Sequence, residues 1–347
     1  MFVAWRDLRF AKGRFALMGA VVVLITLLVG LLSGLTAGLA RENTSAVLGL
    51  PADHLAFAAP PAGRPVSFSG SLLPPSAWRT WATRPGVVSA QPVGIRTLDA
   101  SAGDRTAAVS VFSVPPDAGI APPGVGPGRV VLSEKAAAQL DVRAGDRVRI
   151  GGAGQLVAAV AGHASYSHTP VVWSVIEGDR ATVVALRTRG ADLGAGDRAA
   201  GTRTLARQDA LSAIGSYTAE NGSLRLMRGF LFVISALVTG AFFTVWTIQR
   251  SADIAVLKAL GASTAYLLRD ALGQAVLLLV TGTLTGAALA AAIGALAGSG
   301  GDVPFVLDAP TVLGPSAVMT VLGALGAALS VRRITAVDPL TALGSAR

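Results

Sequence analysis

Four long stretches without a charged side chain dominate this sequence. They span residues 15–40, 229–249, 271–301 and 309–331 and contain no Asp, Glu, Lys or Arg. About 20 consecutive apolar residues suffice to cross the hydrocarbon core of a bilayer, and soluble buried helices seldom keep so long a run free of charge. The sequence therefore predicts four transmembrane helices. A composition with 52% hydrophobic and 14% charged residues fits this prediction and excludes a disordered chain.

The positions of the basic residues predict the orientation of these helices. Residues 1–14, 250–270 and 332–347 hold ten of the 29 Lys and Arg residues, whereas the loop between the third and fourth apolar runs holds none. Cytoplasmic loops of membrane proteins are enriched in Lys and Arg. We therefore expect a multi-pass protein of the cytoplasmic membrane with both termini in the cytoplasm. Residues 41–228 then lie outside and are also net positive. The high isoelectric point therefore comes from both sides of the membrane and is not by itself a sign of nucleic-acid binding, and we expect no nucleic-acid partner.

These patterns divide the chain into eight segments. In chain order they are a cytoplasmic amphipathic helix (1–14), transmembrane helix 1 (15–40), an extracytoplasmic domain (41–225), transmembrane helix 2 (226–249), a cytoplasmic coupling loop or helix (250–270), transmembrane helix 3 (271–299), transmembrane helix 4 (309–331) and a cytoplasmic tail (332–347). An alternative interpretation of the first segment is a positively charged flank with no role beyond topology.

The segment between helices 1 and 2 reads as a mixed α/β domain. Short β-branched runs alternate with turns, and the predicted strands cover 87–88, 107–114, 129–132, 147–150, 157–160, 171–176 and 182–186. Glu134–Leu140 is predicted as a helix, and Asp197–Leu224 as a second helical stretch that leads back to the membrane. The chain has no cysteine, so this domain must fold by core packing alone.

The sequence offers little catalytic chemistry. It has no Gly-x-x-x-x-Gly-Lys-Ser/Thr loop for ATP hydrolysis and no zinc motif, so we expect no enzyme, no metal site and no cofactor of its own. His163, Tyr166 and His168 lie close together in the chain, and we interpret them as solvated loop residues. The apolar runs also contain no ionisable relay, which argues against an ion-coupled pump.

Small residues recur at helical spacing in two of the apolar runs. Gly30, Gly34 and Gly38 line one face of the first run, and Gly282, Gly286, Ala290, Gly294 and Gly298 line one face of the third. Faces of this kind let membrane helices approach closely. We expect the first face to pack against another helix, although glycine is common in membrane helices generally.

The segment 250–263 carries the most specific pattern. Ser251 can cap a short helix, Asp253 suits its first turn, and Gly261 can end it. A short apolar-faced helix on the cytoplasmic side is suited to docking into a groove of another protein. The predicted contact residues are Arg250, Asp253, Ile254, Leu257, Lys258, Leu260 and Gly261.

The segment from Arg250 to Ser263 resembles the sequence that follows the second membrane helix in permease subunits of ATP-binding-cassette systems of the MacB and FtsX type. The one-plus-three helix arrangement, the stretch Val130–Val148 and the tail Arg332–Leu343 also resemble that family. The resemblance implies a homodimeric permease above a separate ATPase dimer, with segment 250–263 engaging the ATPase. Compared with MacB itself, the chain lacks a fused nucleotide-binding domain and has a smaller external domain, which argues against tripartite export.

Two further segments are similar to haem-exporting permeases of the Hrt type and to DevC-like permeases. They are Ala11–Gly19 and Glu220–Arg250. This resemblance implies a membrane subunit of an ATP-driven efflux system that removes haem from the membrane, with ATP bound by the partner subunit. Two alternatives stay open: export of another lipophilic compound, a peptide antibiotic or a lipid, and an FtsX-like signalling role that regulates an external hydrolase.

A haem site needs an apolar wall with a few donors at its rim, because the porphyrin is apolar and the iron takes His, Tyr, Met or carboxylate ligands. No charge lines the four helices, so lateral entry at the outer leaflet is more plausible than a polar pore. We expect the site where helices 1 and 2 emerge, at Glu42, Tyr217, Glu220 and Met227. Arg41, Arg225 and Arg228 are available there for the propionates. The alternative is that these are ordinary interfacial residues.

Overall fold

The computed structural model describes residues 12–116, 118–176, 178–249, 256, 261–299, 303–306 and 308–332. Its helices are α1 (Lys12–Leu48), α2 (Pro75–Ala82), α3 (Glu134–Leu140), α4 (Leu193–Ala200), α5 (Gly215–Gln249), α6 (Thr264–Ser299) and α7 (Ala309–Arg332). Its strands are β1 (His54–Ala58), β2 (Val87–Ala102), β3 (Arg105–Val114), β4 (Arg129–Leu132), β5 (Arg147–Ile150), β6 (Ala153–Val160), β7 (Ser165–Tyr166), β8 (Thr169–Val175), β9 (Val183–Thr188) and β10 (Thr202–Ala206), and a 3-10 helix spans Asp209–Ala213.

The chain divides into two compact units. One is the α/β domain, Leu39–Gly222, and the other is a helical unit formed by the residues before and after it. Four helices, α1, α5, α6 and α7, are long and apolar enough to cross a membrane. The predicted fold class is confirmed: four candidate membrane helices in a one-plus-three order, with a mixed α/β domain between the first two.

Apolar side chains on the outside of the helical unit fit a lipid environment. Leu237, Leu296 and Leu329 are 68%, 75% and 69% exposed, far more than side chains of a soluble core. Such residues lose nothing in contact with lipid tails, whereas in water they would favour association. The predicted membrane character of these helices is therefore consistent with their surface.

Inside the helical unit, glycines bring the helices close together. On α6, a Cβ atom at Gly282 would lie 2.8 Å from Val22 Cγ1 of α1, and one at Gly286 would lie 2.6 Å from the Val23 carbonyl oxygen. On α7, a Cβ atom at Gly323 would lie 2.6 Å from Leu279. Because real Cβ atoms do not approach so closely, these contacts depend on glycine.

Helices α1 and α5 are longer than the apolar runs that predicted them. α1 continues to Leu48, and its residues from Leu39 onwards belong to the α/β domain; α5 begins at Gly215 and belongs to that domain as far as Gly222. The polar side chains of the α1 extension support the helix locally, since Asn43 Nδ2 and Thr44 Oγ1 donate to carbonyl oxygens four residues earlier. Each extension thus carries polar residues on a continuous helix.

The α/β domain is built on a ten-stranded sheet with the order β10-β1-β9-β2-β3-β8-β4-β6-β5, and β7 pairs with β8. Strand β2 is long enough to pair with β9 through Val93 and Val183 in its first half and with β3 through Leu98 and Val109 in its second. Pairings β3–β8 and β4–β6 are parallel, and the others are antiparallel. One extended strand therefore joins the two parts of the sheet.

Two large hydrophobic clusters stabilise this domain. The first contains an aromatic group in which Tyr166 contacts Phe68 and Phe112 edge to face, each at a ring-centroid distance of 5.6 Å. The second packs α3 against the sheet through Leu140, and Ser133 caps this helix by accepting from the Ala136 amide. The predicted helix Glu134–Leu140 is confirmed with the same bounds.

The prediction of continuous helix over Asp197–Leu224 is wrong. α4 ends at Ala200, and Gly201 adopts φ +64 at its C-terminus, a left-handed conformation that glycine tolerates. Strand β10 and the 3-10 helix follow before α5 begins. β10 forms because its five residues pair with β1, about 150 residues earlier in the chain, and this long-range pairing overrides the local helical pattern.

Candidate functional site

His168 lies between two of the predicted site residues. Its Nε2 atom is 2.7 Å from Glu220 Oε1 on α5, and its Nδ1 atom is 3.7 Å from Glu42 Oε2 on α1. All three residues belong to the α/β domain unit. The fold therefore brings Glu42 and Glu220 to one histidine, although 178 positions of sequence separate them and the sequence did not indicate this histidine as a partner.

A tight turn presents this histidine. Ser167 and His168 form the two-residue connection between β7 and β8, and both have positive φ, +49 and +66. Hairpin turns of this kind usually use Asn and Gly, because most side chains disfavour this backbone region. Here the turn is held by α1: the Ser167 amide donates to the Asn43 carbonyl at 3.2 Å, and the His168 amide donates to the Glu42 carbonyl at 3.3 Å.

Asn43 connects the two helices and the turn. Its Nδ2 atom donates to the Leu39 carbonyl at 3.2 Å and to Glu220 Oε2 at 3.1 Å, while its Oδ1 atom accepts from Ser216 Oγ at 2.7 Å. Both amide hydrogens are thereby used, so the 2.9 Å approach of Nδ2 to His168 Nε2 is a contact between two donors and not a third hydrogen bond. The hydrogen-bond network thus assigns the Nε2–H tautomer to His168, donating to Glu220.

Lys135 of α3 completes the cluster by pairing with Glu42. Two carboxylates, one ammonium and one imidazole therefore meet in a partly buried place, where the side chains of Glu42, His168 and Glu220 are 22%, 33% and 38% exposed. We call Glu42, Asn43, Lys135, His168 and Glu220 the Glu-His-Glu cluster. Each of these charged side chains is partly exposed, so a ligand could reach the cluster.

His163, Tyr166 and His168 were interpreted from the sequence as solvated loop residues, and the structure agrees for only one of them. His163 is solvated, with an 81% exposed side chain beside Glu134. Tyr166 is instead buried among aromatic rings, and burial raises the pKa of its hydroxyl. His168 is engaged by Glu220. The interpretation was wrong for Tyr166 and His168 because the partners that bury them come from distant segments.

The other predicted ligand residues on α5 differ in how far they are buried. Tyr217 is half-buried and packs against the hydrophobic core of the α/β domain. Arg225 and Met227 are exposed and Arg228 is partly exposed, all further along α5 in the helical unit. Among the residues that the structure describes, no group of three or more His, Asp or Glu side chains has the geometry of a metal site.

Most of the predicted ATPase contact lies outside the described residues. This holds for Arg250, Asp253, Ile254, Leu257, Lys258 and Leu260. Gly261 is described, and its φ of +92 is a left-handed conformation that glycine adopts without strain. Ser263 follows it and caps α6, since its Oγ accepts from the Tyr266 amide at 3.3 Å.

The predicted packing face on α1 lies against two different segments of the helical unit. A Cβ atom at Gly30 would lie 2.8 Å from Ala290 Cβ of α6. At Gly34 and Gly38 the neighbours are Phe305 and Pro304 of the segment that precedes α7, and the Val306 amide donates to the Gly34 carbonyl at 3.2 Å. The ring of Phe305 also occupies the space beside Gly294 of α6, so it lies between the two helices.

The site has three members that sequence reasoning missed: Asn43, Lys135 and His168. Only a weak sequence pattern pointed to the turn that carries His168. Ser167 and His168 stand between Tyr166 and a β-branched run, which fits a two-residue hairpin, but neither residue is glycine. Only the pairing of β7 with β8 reveals the turn and places the imidazole.

Comparison with known proteins gives a family match for part of the chain. Residues 226–339 match the model described as FtsX-like permease C-terminal. This range contains α6 and α7, most of α5 and the connecting segment with the predicted ATPase contact.

Relatives extend this likeness over the whole chain. A protein of Staphylococcus haemolyticus named "Putative hemin transport system permease protein HrtB" is 27% identical over 99% of both chains. A Pseudomonas putida protein named as the pyoverdine export ATP-binding/permease protein PvdT is 32% identical over 35% of this chain and 19% of its own length. Among solved structures, the periplasmic region of MacB from Actinobacillus actinomycetemcomitans is 12% identical, with a TM-score of 0.36 over 47% of this chain and 92% of that one.

Proposed function

Since residues 226–339 are an FtsX-like permease C-terminal domain and the chain is an ABC transporter permease of the FtsX and Hrt type, we propose that it is the membrane subunit of an efflux system for haem. The observation that carries this proposal is the likeness to a hemin permease over 99% of both chains. A shared domain at one end would support the permease role alone, whereas a likeness that includes the α/β domain supports a shared substrate class.

The Glu-His-Glu cluster supports a ligand of this class. Ferric iron accepts oxygen ligands, and haem also carries two anionic propionates that Arg and Lys bind well. The cluster offers two carboxylates, Glu42 and Glu220, which come from the ends of two membrane helices. Tyr217 on α5, and then Arg225, Met227 and Arg228 further along the same helix, complete the proposed ligand set.

The route to this site is proposed to run through the lipid. The apolar runs of the four helices contain no Asp, Glu, Lys or Arg, so they offer no charged pore. A lipophilic porphyrin concentrates in the bilayer, from which lateral entry needs no polar channel. In this proposal the permease takes haem from the outer leaflet, and the α/β domain faces the outside of the cytoplasmic membrane.

The energy is proposed to come from a partner. Permeases of this family work with an ATPase, and ATP would be bound there and not by this chain. We propose that an ATPase dimer contacts residues 250–263 from the cytoplasm and that two copies of the permease assemble above it, with both termini on that side. Close packing at Gly30, Gly34 and Gly38 would let α1 carry the motion as a rigid part of the helical unit.

A second candidate function is export of a different compound. The similarity to a pyoverdine export protein favours it, although that similarity covers 35% of the chain. A signalling role that regulates an external hydrolase is the third possibility within the FtsX type. Both predict a chain that couples to an ATPase and binds no haem.

The test is haemin binding by the purified full-length permease in lipid nanodiscs, followed by the Soret band. We expect Glu42→Ala, Tyr217→Phe or Glu220→Ala to shift the band or weaken binding, and cells carrying them to tolerate less haemin. Glu134→Gln is the matched control, because Glu134 is an exposed carboxylate that pairs with His163. If all three variants bind and protect as the unaltered protein does, the proposed site is wrong; if the unaltered protein binds no haemin, haem is not the substrate.

A further inference from the structure

The carboxylate of Glu220 is held at both oxygens. His168 Nε2 donates to Oε1 at 2.7 Å, and Asn43 Nδ2 donates to Oε2 at 3.1 Å. The two donors come from a hairpin turn and from α1, while Glu220 belongs to α5. A glutamate side chain with this exposure would ordinarily sample several rotamers, and two donors from separate elements select one.

We infer that His168 is a positioning residue for Glu220 in the proposed haem site; this inference rests on the proposed function. Each carboxylate oxygen can accept two hydrogen bonds or coordinate a cation with a remaining lone pair. With one donor on each oxygen, Glu220 keeps acceptor capacity on both. His168 thus orients the carboxylate and leaves it able to bind a cation. The cation that this carboxylate would coordinate is the iron of a ferric porphyrin.

Glu42 faces the other ring nitrogen of His168. The Nδ1 atom faces Glu42 Oε2 at 3.7 Å, and Lys135 pairs with the other oxygen of the same carboxylate. The imidazole therefore has a carboxylate near each ring nitrogen, and the hydrogen bond from Nε2 to Glu220 orients the ring.

The backbone conformation of His168 allows a purely structural role in the turn to be distinguished from a positioning role toward Glu220. At φ +66 it occupies a region in which Gly and Asn are comfortable and Gln is not. His168→Gly and His168→Asn therefore preserve or relax the turn, but they remove the donor at the Nε2 position. His168→Gln strains the turn, but its side-chain amide nitrogen can reach the place of Nε2. A purely structural role ranks Gly and Asn above Gln, whereas a positioning role ranks Gln above both.

The experiment is a haemin titration of the full-length permease in nanodiscs with these three variants. We expect His168→Gln to bind within about threefold of the unaltered protein and His168→Gly and His168→Asn to bind tenfold or more weakly, the loss that one hydrogen bond to a charged group produces. His163→Asn is the control and should bind normally, because His163 is solvated. Normal binding by Gly and Asn, or a loss in Gln as large as in Gly, would overturn the inference.

A second measurement keeps this result apart from a failure of the haem proposal. Thermal midpoints are compared without ligand for His168→Gly, Glu220→Gln and the double variant. Coupled residues give a double variant whose midpoint falls less than the sum of the single shifts, by a few degrees. Additive shifts would contradict the pairing itself. If the shifts are non-additive and the unaltered protein binds no haemin, His168 and Glu220 do interact but haem is not the ligand. That result would overturn the role of His168 in positioning Glu220 for haem.

Discussion

The ring of Phe305 fills the space that a side chain at Gly34 would need. A Cβ atom at Gly34 would overlap that ring, and the neighbouring Val306 amide donates to the Gly34 carbonyl at 3.2 Å. Gly294 of α6 leaves room for the same ring from the other side. Phe305 therefore fixes α1 and α6 beside each other, and glycine is required on both.

Replacing Gly34 by Leu should destabilise the helical unit by about 1–3 kcal/mol, the usual cost of overpacking. The larger side chain must displace Phe305 and break the Val306 hydrogen bond. The measurement is thermal unfolding and the monodisperse fraction in detergent. Gly19→Leu is the matched control on the same helix, since nothing lies within 4 Å of a Cβ atom there. Equal stability of both variants would mean that Phe305 moves freely.

Asn43→Ala should cost about 1–3 kcal/mol, because it leaves buried or half-buried partners without a hydrogen bond. Asn43 is 1% exposed and serves Leu39, Ser216 and Glu220 at once. Asn221→Ala, at a more exposed position of α5, is the control. An Asn43→Ala protein with an unchanged unfolding midpoint would show that Asn43 does not connect α1 to α5.

The pH dependence of stability should report the burial of Tyr166. Burial raises the pKa of its hydroxyl above the ordinary value, so the unfolded chain loses this proton first as the pH rises. The contribution of this group is therefore complete below about pH 10 and decreases at higher pH, by about 1.4 kcal/mol per pH unit until the folded protein also ionises. Tyr166→Phe should remove this part of the loss in unfolding experiments between about pH 9 and pH 12, the range in which tyrosine titrates. Identical slopes for both proteins would contradict it.

The proposed ATPase contact predicts a separation of assembly from insertion. Replacing Leu257 and Leu260 together by Asp should abolish stimulation of the partner ATPase, because charges on the apolar face oppose docking into a groove. Membrane insertion should be unchanged, since both residues lie outside the apolar runs. Unchanged co-purification and ATP turnover would place the contact elsewhere.

The sequence predicted the elements that local patterns determine. The α3 helix has a serine cap and follows a β-branched run, and it forms at the predicted residues. Strand β1 was missed because its five residues lie among proline and glycine turns, and it becomes a strand only by pairing with β9 and β10. Strand β10 was assigned to a helix for the same reason.

In the candidate site, too, residues marked by a local feature were predicted, whereas a residue that depends on distant contacts was not. Glu42 was predicted because it closely follows the first apolar run, and Glu220 because it lies in the stretch that leads into the second, and both are local features. His168 was missed because its role depends on three segments that are distant in sequence: α1, the β7–β8 turn and α5. A positive φ at a non-glycine residue leaves no mark in the sequence, so only the folded chain reveals that the turn presents this imidazole.

Haem export can be measured as ATP-driven removal of haemin from proteoliposomes that contain the permease and its ATPase. We expect ATP to deplete membrane haemin with the unaltered permease and with Glu134→Gln, and Glu220→Ala to abolish this depletion while ATP turnover continues. ATP turnover by the unaltered complex without any loss of haemin from the membrane would show that the permease does not export haem.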